Sequence, residues 1–228
     1  MAGTALTAYG IYLALAFGLR TAVQLRRTGA SGFKGVSGRP GSAEWFAGAL
    51  FVVALLVGVA APVLALTDVV EPIEGLDTTE VHVVGIVLFI VGLAVTLAAQ
   101  VAMGESWRIG VDESERTELV TDGPFAVARN PIFSAMLPTS LGLVLMVPSW
   151  VALVGLAALV VALELQVRVV EEPYLQRTHG HAYLAYARDV GRFVPGVGRL
   201  PGAPSARDGG SSVAQGGDTA EATGSRER

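Results

Sequence analysis

Long apolar blocks separated by short polar ones organise this chain. The first block runs from about Thr4 to Leu25, the second from Trp45 to Leu66 without an internal charge, and the third from Val83 to Met103. Each exceeds the roughly 18 apolar residues that argue for a helix crossing a bilayer. A further stretch, Asn130 to Leu163, carries no charge, but Pro148-Ser149 breaks it near its middle. It reads as two helices, about Ile132 to Val147 and from Ser149 onward, folded back into a hairpin. The last of these is apolar only to Leu163, so spanning requires it to continue through Glu164 and Gln166 toward Val170. Those groups must then face protein, water or a ligand, because lipid cannot satisfy them. A tilted or partial hairpin that never fully crosses is the alternative. The pattern predicts an all-α integral membrane protein with five transmembrane helices and a C-terminal helical hairpin. Residues 1–103 form an N-terminal three-helix membrane region, and 104–195 hold helices four and five with their polar flanks. Residues 196–228, rich in Gly, Ser and Ala, read as a disordered tail.

Charge orients this arrangement. The loop after the first block holds Arg26, Arg27, Lys34 and Arg39. The loop after the second holds Asp68, Glu71, Glu74, Asp77 and Glu80, with no Lys or Arg. The positive loop is expected in the cytoplasm, which puts the N terminus outside and the C terminus in the cytoplasm, in a cytoplasmic membrane. Arg168, Arg177, Arg188 and Arg192 then lie on the cytoplasmic side, and the two polar borders of the hairpin meet there. Arg20, near the end of the first block, is expected to snorkel to the interface. The first block lacks the features of a cleaved secretory signal and reads as a retained span. With 52% hydrophobic and 16% charged residues, the 228-residue chain carries less charge than a soluble domain of its size. It has no cysteine, which excludes disulfides and thiolate metal sites, and its net charge of −4 gives nucleic-acid binding no support. Gly48, Ala54, Gly58, Gly85 and Gly92 read as close helix contacts.

The candidate chemistry lies between Gly104 and Pro195. Gly104-Glu105-Ser106-Trp107-Arg108-Ile109-Gly110 follows the third span; Trp107 suits an interface, and Arg108 suits an anionic head group or carboxylate. Routine interfacial anchoring explains the same residues. Asp122-Gly123-Pro124 marks a turn. In Arg129-Asn130-Pro131, Asn130 reads as an N-cap and Pro131 as the first helical residue, with free N–H groups able to hold a carboxylate. Glu164, Arg168 and Glu172 share a helix face at four-residue spacing, with Glu171 beside them. They form either an ion-pair network or a site for a cationic, zwitterionic ligand such as S-adenosylmethionine. Tyr183 and Tyr186 follow at helix spacing. His82, His179 and His181 do not make a metal set, and neither a dinucleotide fingerprint nor a phosphate loop appears.

Taken in order, these pieces resemble the isoprenylcysteine carboxyl methyltransferase family and its phospholipid methyltransferase relatives. The likeness rests on Gly104-x-x-Trp107-Arg108-x-Gly110, Leu119 to Phe125, Arg129-Asn130-Pro131-Ile132-Phe133, Arg168 with Glu171-Glu172-x-x-Leu175, Gly180-His-x-Tyr183-x-x-Tyr186, and Arg192-Phe193-x-Pro195. The family usually carries Arg-His-Pro-x-Tyr where this chain has Arg129 to Phe133. Asn130 keeps a hydrogen bond but cannot act as an imidazole base, and Phe133 keeps the ring without the hydroxyl. The resemblance implies an S-adenosylmethionine-dependent methyltransferase with a cytoplasmic cofactor site. The residues it implies around the cofactor are Asn130, Pro131, Ile132, Phe133, Arg168, Glu171 and Glu172, with Tyr183 and Tyr186. Arg108 and Arg192 are expected to place an acceptor carboxylate, and Glu164 or Glu172 to assist deprotonation of an amine or alcohol. The expected acceptor is a membrane-partitioned lipid, isoprenoid or small apolar molecule, a carboxylate among them. An NADPH-dependent membrane reductase and a non-catalytic membrane binding or assembly protein are the alternatives.

Overall fold

The computed structural model describes residues 1–32, 35–36, 38–107 and 118–200. Among them, four helices are long and apolar enough to cross a membrane: α1 (Ala2–Thr28), α2 (Ala43–Leu66), α3 (Thr79–Met103, extended by one 3₁₀ turn) and α5 (Trp150–His179). Between α3 and α5 lies α4 (Pro131–Met146), 16 residues long. At 1.5 Å per residue it reaches about 24 Å, short of a hydrocarbon core of about 30 Å. Of the five spans expected, four therefore meet the length criterion and α4 does not. A short polar helix, α6 (His181–Asp189), follows Gly180. The fold is an all-α bundle.

Local chemistry sets the helix boundaries. Gly29 ends α1 at φ 76°, a left-handed conformation that costs glycine nothing, and its N–H donates to the Leu25 carbonyl. Ser42 and Thr78 accept from the first-turn N–H groups of α2 and α3. Ser149, on the break between α4 and α5, caps α5 through the Ala152 N–H. Pro131 opens α4, where its missing N–H costs no hydrogen bond.

In the bundle, α3 lies along α4, and α2 lies along α5, with α1 packed on α2. Close approach explains the first pairing. A Cβ on Gly142 would sit 2.5 Å from the Gly85 carbonyl oxygen, and one on Gly92 would strike the Thr139 hydroxyl. Gly58 is filled by the Tyr9 ring, whose hydroxyl donates to the Leu55 carbonyl at 3.1 Å. The expected glycine contacts at Gly58, Gly85 and Gly92 are thus helix crossings, joined by Gly142. Tyr9, Tyr12, Phe89, Met136, Leu159 and Leu163 build the core. Large apolar side chains cover the outside: Leu56 is 63% exposed and Ile90 58%. A bundle that turns such residues outward along every long helix is suited to lipid, and its location is an integral-membrane one.

One end of the bundle collects the chain's polar borders. There, Arg20 is buried rather than extended to the interface: it donates to the Gly104 carbonyl, and its guanidinium lies 4.8 Å from the Trp107 ring centre. Gln24 donates to the Glu105 carbonyl at 2.7 Å. Carbonyls at the end of a helix are short of donors; Gly104 O takes the Trp107 N–H at 3.4 Å, and the polar side chains at the end of α1 supply the rest.

Candidate functional site

At this polar end, the N-terminus of α4 is joined to the segment after α6. Arg129 N–H donates to Gly191 O at 2.8 Å and Asn130 N–H to Arg192 O at 3.1 Å, a short parallel pairing beside the Ala128–Gly191 bridge. The Asn130 side chain also donates to Arg192 O at 3.1 Å, and Ser134 donates to Phe193 O at 2.7 Å. Asn130 is therefore not the side-chain cap expected of it. Its amide is spent on the neighbouring strand-like segment, and the first-turn N–H groups of α4 gain no acceptor from it. Gly196 to Leu200, where the tail was expected to begin, instead turn back on the site: Leu200 N–H donates to Ala187 O at 2.9 Å.

Glu172 is the centre of this end. Its carboxylate accepts from Arg192 at 2.7 and 2.9 Å and lies 3.0 Å from Arg129 Nη1. Arg129 also donates to the Tyr183 hydroxyl at 2.9 Å and to Gly198 O at 2.6 Å. The Arg129 and Glu172 side chains are 2% and 7% exposed, so this is a buried, hydrogen-bonded charge cluster in which the pairing offsets desolvation. The two hydrogen bonds from Arg192 to the carboxylate raise its guanidinium pKa above the usual arginine value. Burial pushes the Tyr183 phenol up to about 12, with Arg129 opposing, and burial likewise raises Tyr186. Tyr186 is held by donation to Phe125 O at 2.6 Å.

Beside the cluster opens a cavity of about 340 Å³, within the size range of small-ligand sites. Arg129, Glu171, Glu172, Tyr183, Tyr186 and Glu118 give it polar lining. Phe17, Phe51, Val52, Leu55 and Met136, from α1, α2 and α4, give it apolar lining. Trp107, expected as an interfacial anchor, is 3% exposed and forms part of the cavity wall. The Nε of Arg129 is buried without a hydrogen-bond partner.

Of the expected site residues, Asn130, Pro131, Ile132, Phe133, Glu171, Glu172, Tyr183 and Tyr186 all line this cavity. Arg168, Glu164 and Arg192 do not. Arg168 and Glu164 pair with each other on the surface, at 57% and 39% exposure. The reason is a π-helical turn at Gln166–Glu171. Widening one turn rotates everything after it relative to the helix before it, so the expected common face divides: Glu172 turns inward while Glu164 and Arg168 face out. Arg192 reaches the site through Glu172, by its side chain, and through Asn130, by its carbonyl. Arg108 lies outside the described residues. Sequence reasoning left out Arg129, whose only signal was its place directly before the α4 start. It also left out Tyr12, Thr96 and Gln100, polar groups inside apolar spans, which is itself a signal.

Residues 81–182 match the phospholipid methyltransferase family. Protein-S-isoprenylcysteine O-methyltransferase A of Arabidopsis thaliana is 32% identical over 115 residues, covering 50% of this chain and 58% of that protein. Protein-S-isoprenylcysteine O-methyltransferase B of the same plant is 29% identical with the same coverage. The chain thus spans 58% of the length of these curated relatives. No solved structure matches it significantly. The matched segment contains α3 from Val81 onward, α4, α5 and most of the polar lining of the cavity, and the chain bears a family-level resemblance to the isoprenylcysteine and phospholipid methyltransferases.

Proposed function

We propose that this chain is an S-adenosylmethionine-dependent methyltransferase acting on a membrane-partitioned lipid, isoprenoid or small apolar acceptor. The observation that carries the reading is one cavity with both charged and apolar lining. A soluble cofactor and a hydrocarbon-soluble acceptor need such a meeting place; a membrane reductase would need one too, and the family resemblance favours methyl transfer. In this reading α4 is a short fifth crossing, and the site end faces the cytoplasm. Arg26, Arg27 and Arg39 flank that end, which supports the orientation.

The residues present fit the cofactor. When bound, S-adenosylmethionine supplies a methyl group on a positively charged sulfur. Glu171 and Glu118 place carboxylates where they would accept from its ammonium or ribose hydroxyls. The unpartnered Arg129 Nε and the first-turn N–H groups of α4 would hold its carboxylate. Phe133, Tyr183, Tyr186 and Trp107 give aromatic walls against a cation. Transfer by direct displacement needs alignment and exclusion of water more than a protein nucleophile. Glu172 has both oxygens engaged by arginines, so its part is to position Arg129 and the segment after α6 rather than to take a proton. An acceptor that arrives as an anion, such as a carboxylate, needs no base, and this arrangement favours one.

Calorimetric titration of the purified, folded chain with S-adenosylmethionine or its demethylated product tests the reading. Saturable binding is expected, weakened about tenfold by Glu171→Gln through loss of one charge-assisted hydrogen bond. Methyl transfer from labelled cofactor to extracted membrane lipids should follow. Absence of saturable binding by folded protein, or preferential binding of NADPH, overturns it.

A further inference from the structure

Tyr12, Thr96 and Gln100 line the cavity and are 3%, 1% and 3% exposed. The Tyr12 and Thr96 hydroxyls lie close enough to interact with each other, though without ordinary hydrogen-bond geometry, and Gln100 Oε1 is buried with no partner. An unsatisfied buried polar group costs about 1–3 kcal/mol, which a donor brought by a ligand would relieve. Thr96 and Gln100 stand one turn apart on the same face of α3, and Thr96 lies about 10 Å along the helix from its end at Met103. Thr96 therefore sits at hydrocarbon depth.

The amide of Gln100 is oriented by a second feature. Its Nε2 donates at 2.8 Å to the Ala16 carbonyl, which lies in a π-helical turn of α1 spanning Ala14–Leu19. A widened turn makes a mid-helix carbonyl reachable by a side chain, and such turns recur at functional sites. A carbonyl accepts only, so Nε2 must face Ala16 and Oε1 must face away. Oε1 then requires a donor, which a carboxylate, ether or hydrocarbon cannot offer. The two hydroxyls can each donate as well as accept. Tyr12 and Ala16 lie outside the segment that matches the family.

We infer that Tyr12, Thr96 and Gln100 form a binding subsite for a neutral hydroxyl or amide group carried within the apolar part of the acceptor. The term acceptor rests on the methyltransferase reading; the binding chemistry does not. The subsite selects among otherwise similar hydrocarbon chains, because a chain without a donor leaves Gln100 Oε1 unpaired.

The test uses the full chain in lipid nanodiscs with Trp107 as its sole tryptophan (Trp45→Phe, Trp150→Phe). The probes are an ω-bromo octanol and the matching bromooctane, with quenching of Trp107 read against probe concentration in the lipid. The alcohol is expected to bind saturably and at least about fivefold tighter than the bromoalkane, as one or two net hydrogen bonds imply. Gln100→Met, which removes the acceptor, should abolish that preference, and Tyr12→Phe and Thr96→Val, each nearly isosteric, should each reduce it. The isosteric variants keep the test valid if Gln100→Met does not fold. Equal binding of the two probes, absence of saturable quenching, or a preference that survives Gln100→Met or both isosteric substitutions overturns the inference. None of these readings needs the cofactor, so failure here leaves cofactor binding as a separate result.

Discussion

Truncating Glu172 should damage this protein more than any other single loss of charge in the site. The Glu172→Ala chain would retain two guanidinium groups built around a missing carboxylate. Breaking a buried ion pair by removing one partner costs about 3–5 kcal/mol, because the remaining charge stays desolvated. Here the two survivors differ. The Arg192 side chain is 12% exposed and can swing toward water, whereas that of Arg129 is 2% exposed and cannot. Arg129 still keeps the Tyr183 hydroxyl and Gly198 O as acceptors, which places the expected loss near the low end, about 3 kcal/mol. Arg168→Ala is the internal control. It removes the guanidinium partner of the Glu164 carboxylate, but at 57% and 39% exposure that pair contributes about 0–1 kcal/mol. Reversible denaturant unfolding of the detergent-solubilised chain, followed by helical circular dichroism, measures both. Against a total stability of about 5–15 kcal/mol the difference is large. If the two variants lose the same free energy, the buried cluster is not the organising feature described above.

Two further outcomes follow from particular contacts. Gly142→Ala would drive a Cβ to 2.5 Å from Gly85 O and 2.7 Å from Phe89 N, backbone atoms that cannot rotate aside, so α3 and α4 must part at a cost of about 1–3 kcal/mol. Gly10→Ala meets nothing within 4 Å and should be neutral or slightly stabilising in the same unfolding assay; equal behaviour of the two would refute the crossing. The Tyr183 phenol, raised from 10.0 to about 12 in the folded chain, keeps its proton where the unfolded chain loses it. Its contribution to stability is therefore complete below pH 10 and declines as pH rises through about 12. Tyr183→Phe should show a shallower decline, the remainder coming from Tyr186, and parallel stability curves for parent and variant between pH 10 and 12 would count against the burial of this phenol.

Much of the architecture is legible along the chain because the signals are local. The starts of α2, α3 and α5 fall at residues whose side chains cap them, and the Pro148-Ser149 break falls between α4 and α5. Asn130 to Phe133 could be read as cavity residues from the resemblance they carry. Equally sound local reasoning groups Arg168 with Glu172, yet Arg168 does not line the cavity. Four-residue spacing puts Glu164, Arg168 and Glu172 on one face of a regular α-helix, and the π turn at Gln166–Glu171 breaks that regularity. No property of Gln166 or Val167 alone announces such a turn. Asn130 has the right identity for a cap, yet the carbonyl of Arg192, 62 residues away, takes its amide.

Contiguous apolar length determined that this is a helical membrane chain, since crossing a bilayer depends on an unbroken run of residues that a reader can count. The order of its polar motifs determined the family resemblance and the end of the bundle to inspect. Only the tertiary structure decided which charges work as a unit. Arg129, Glu172 and Arg192 lie far apart in sequence, and their pairing exists because the bundle excludes water around them. It also decided that three polar side chains from α1 and α3 would face one cavity, because a buried group's partner is set by whichever helix packs against it, and that choice is made by the whole core at once.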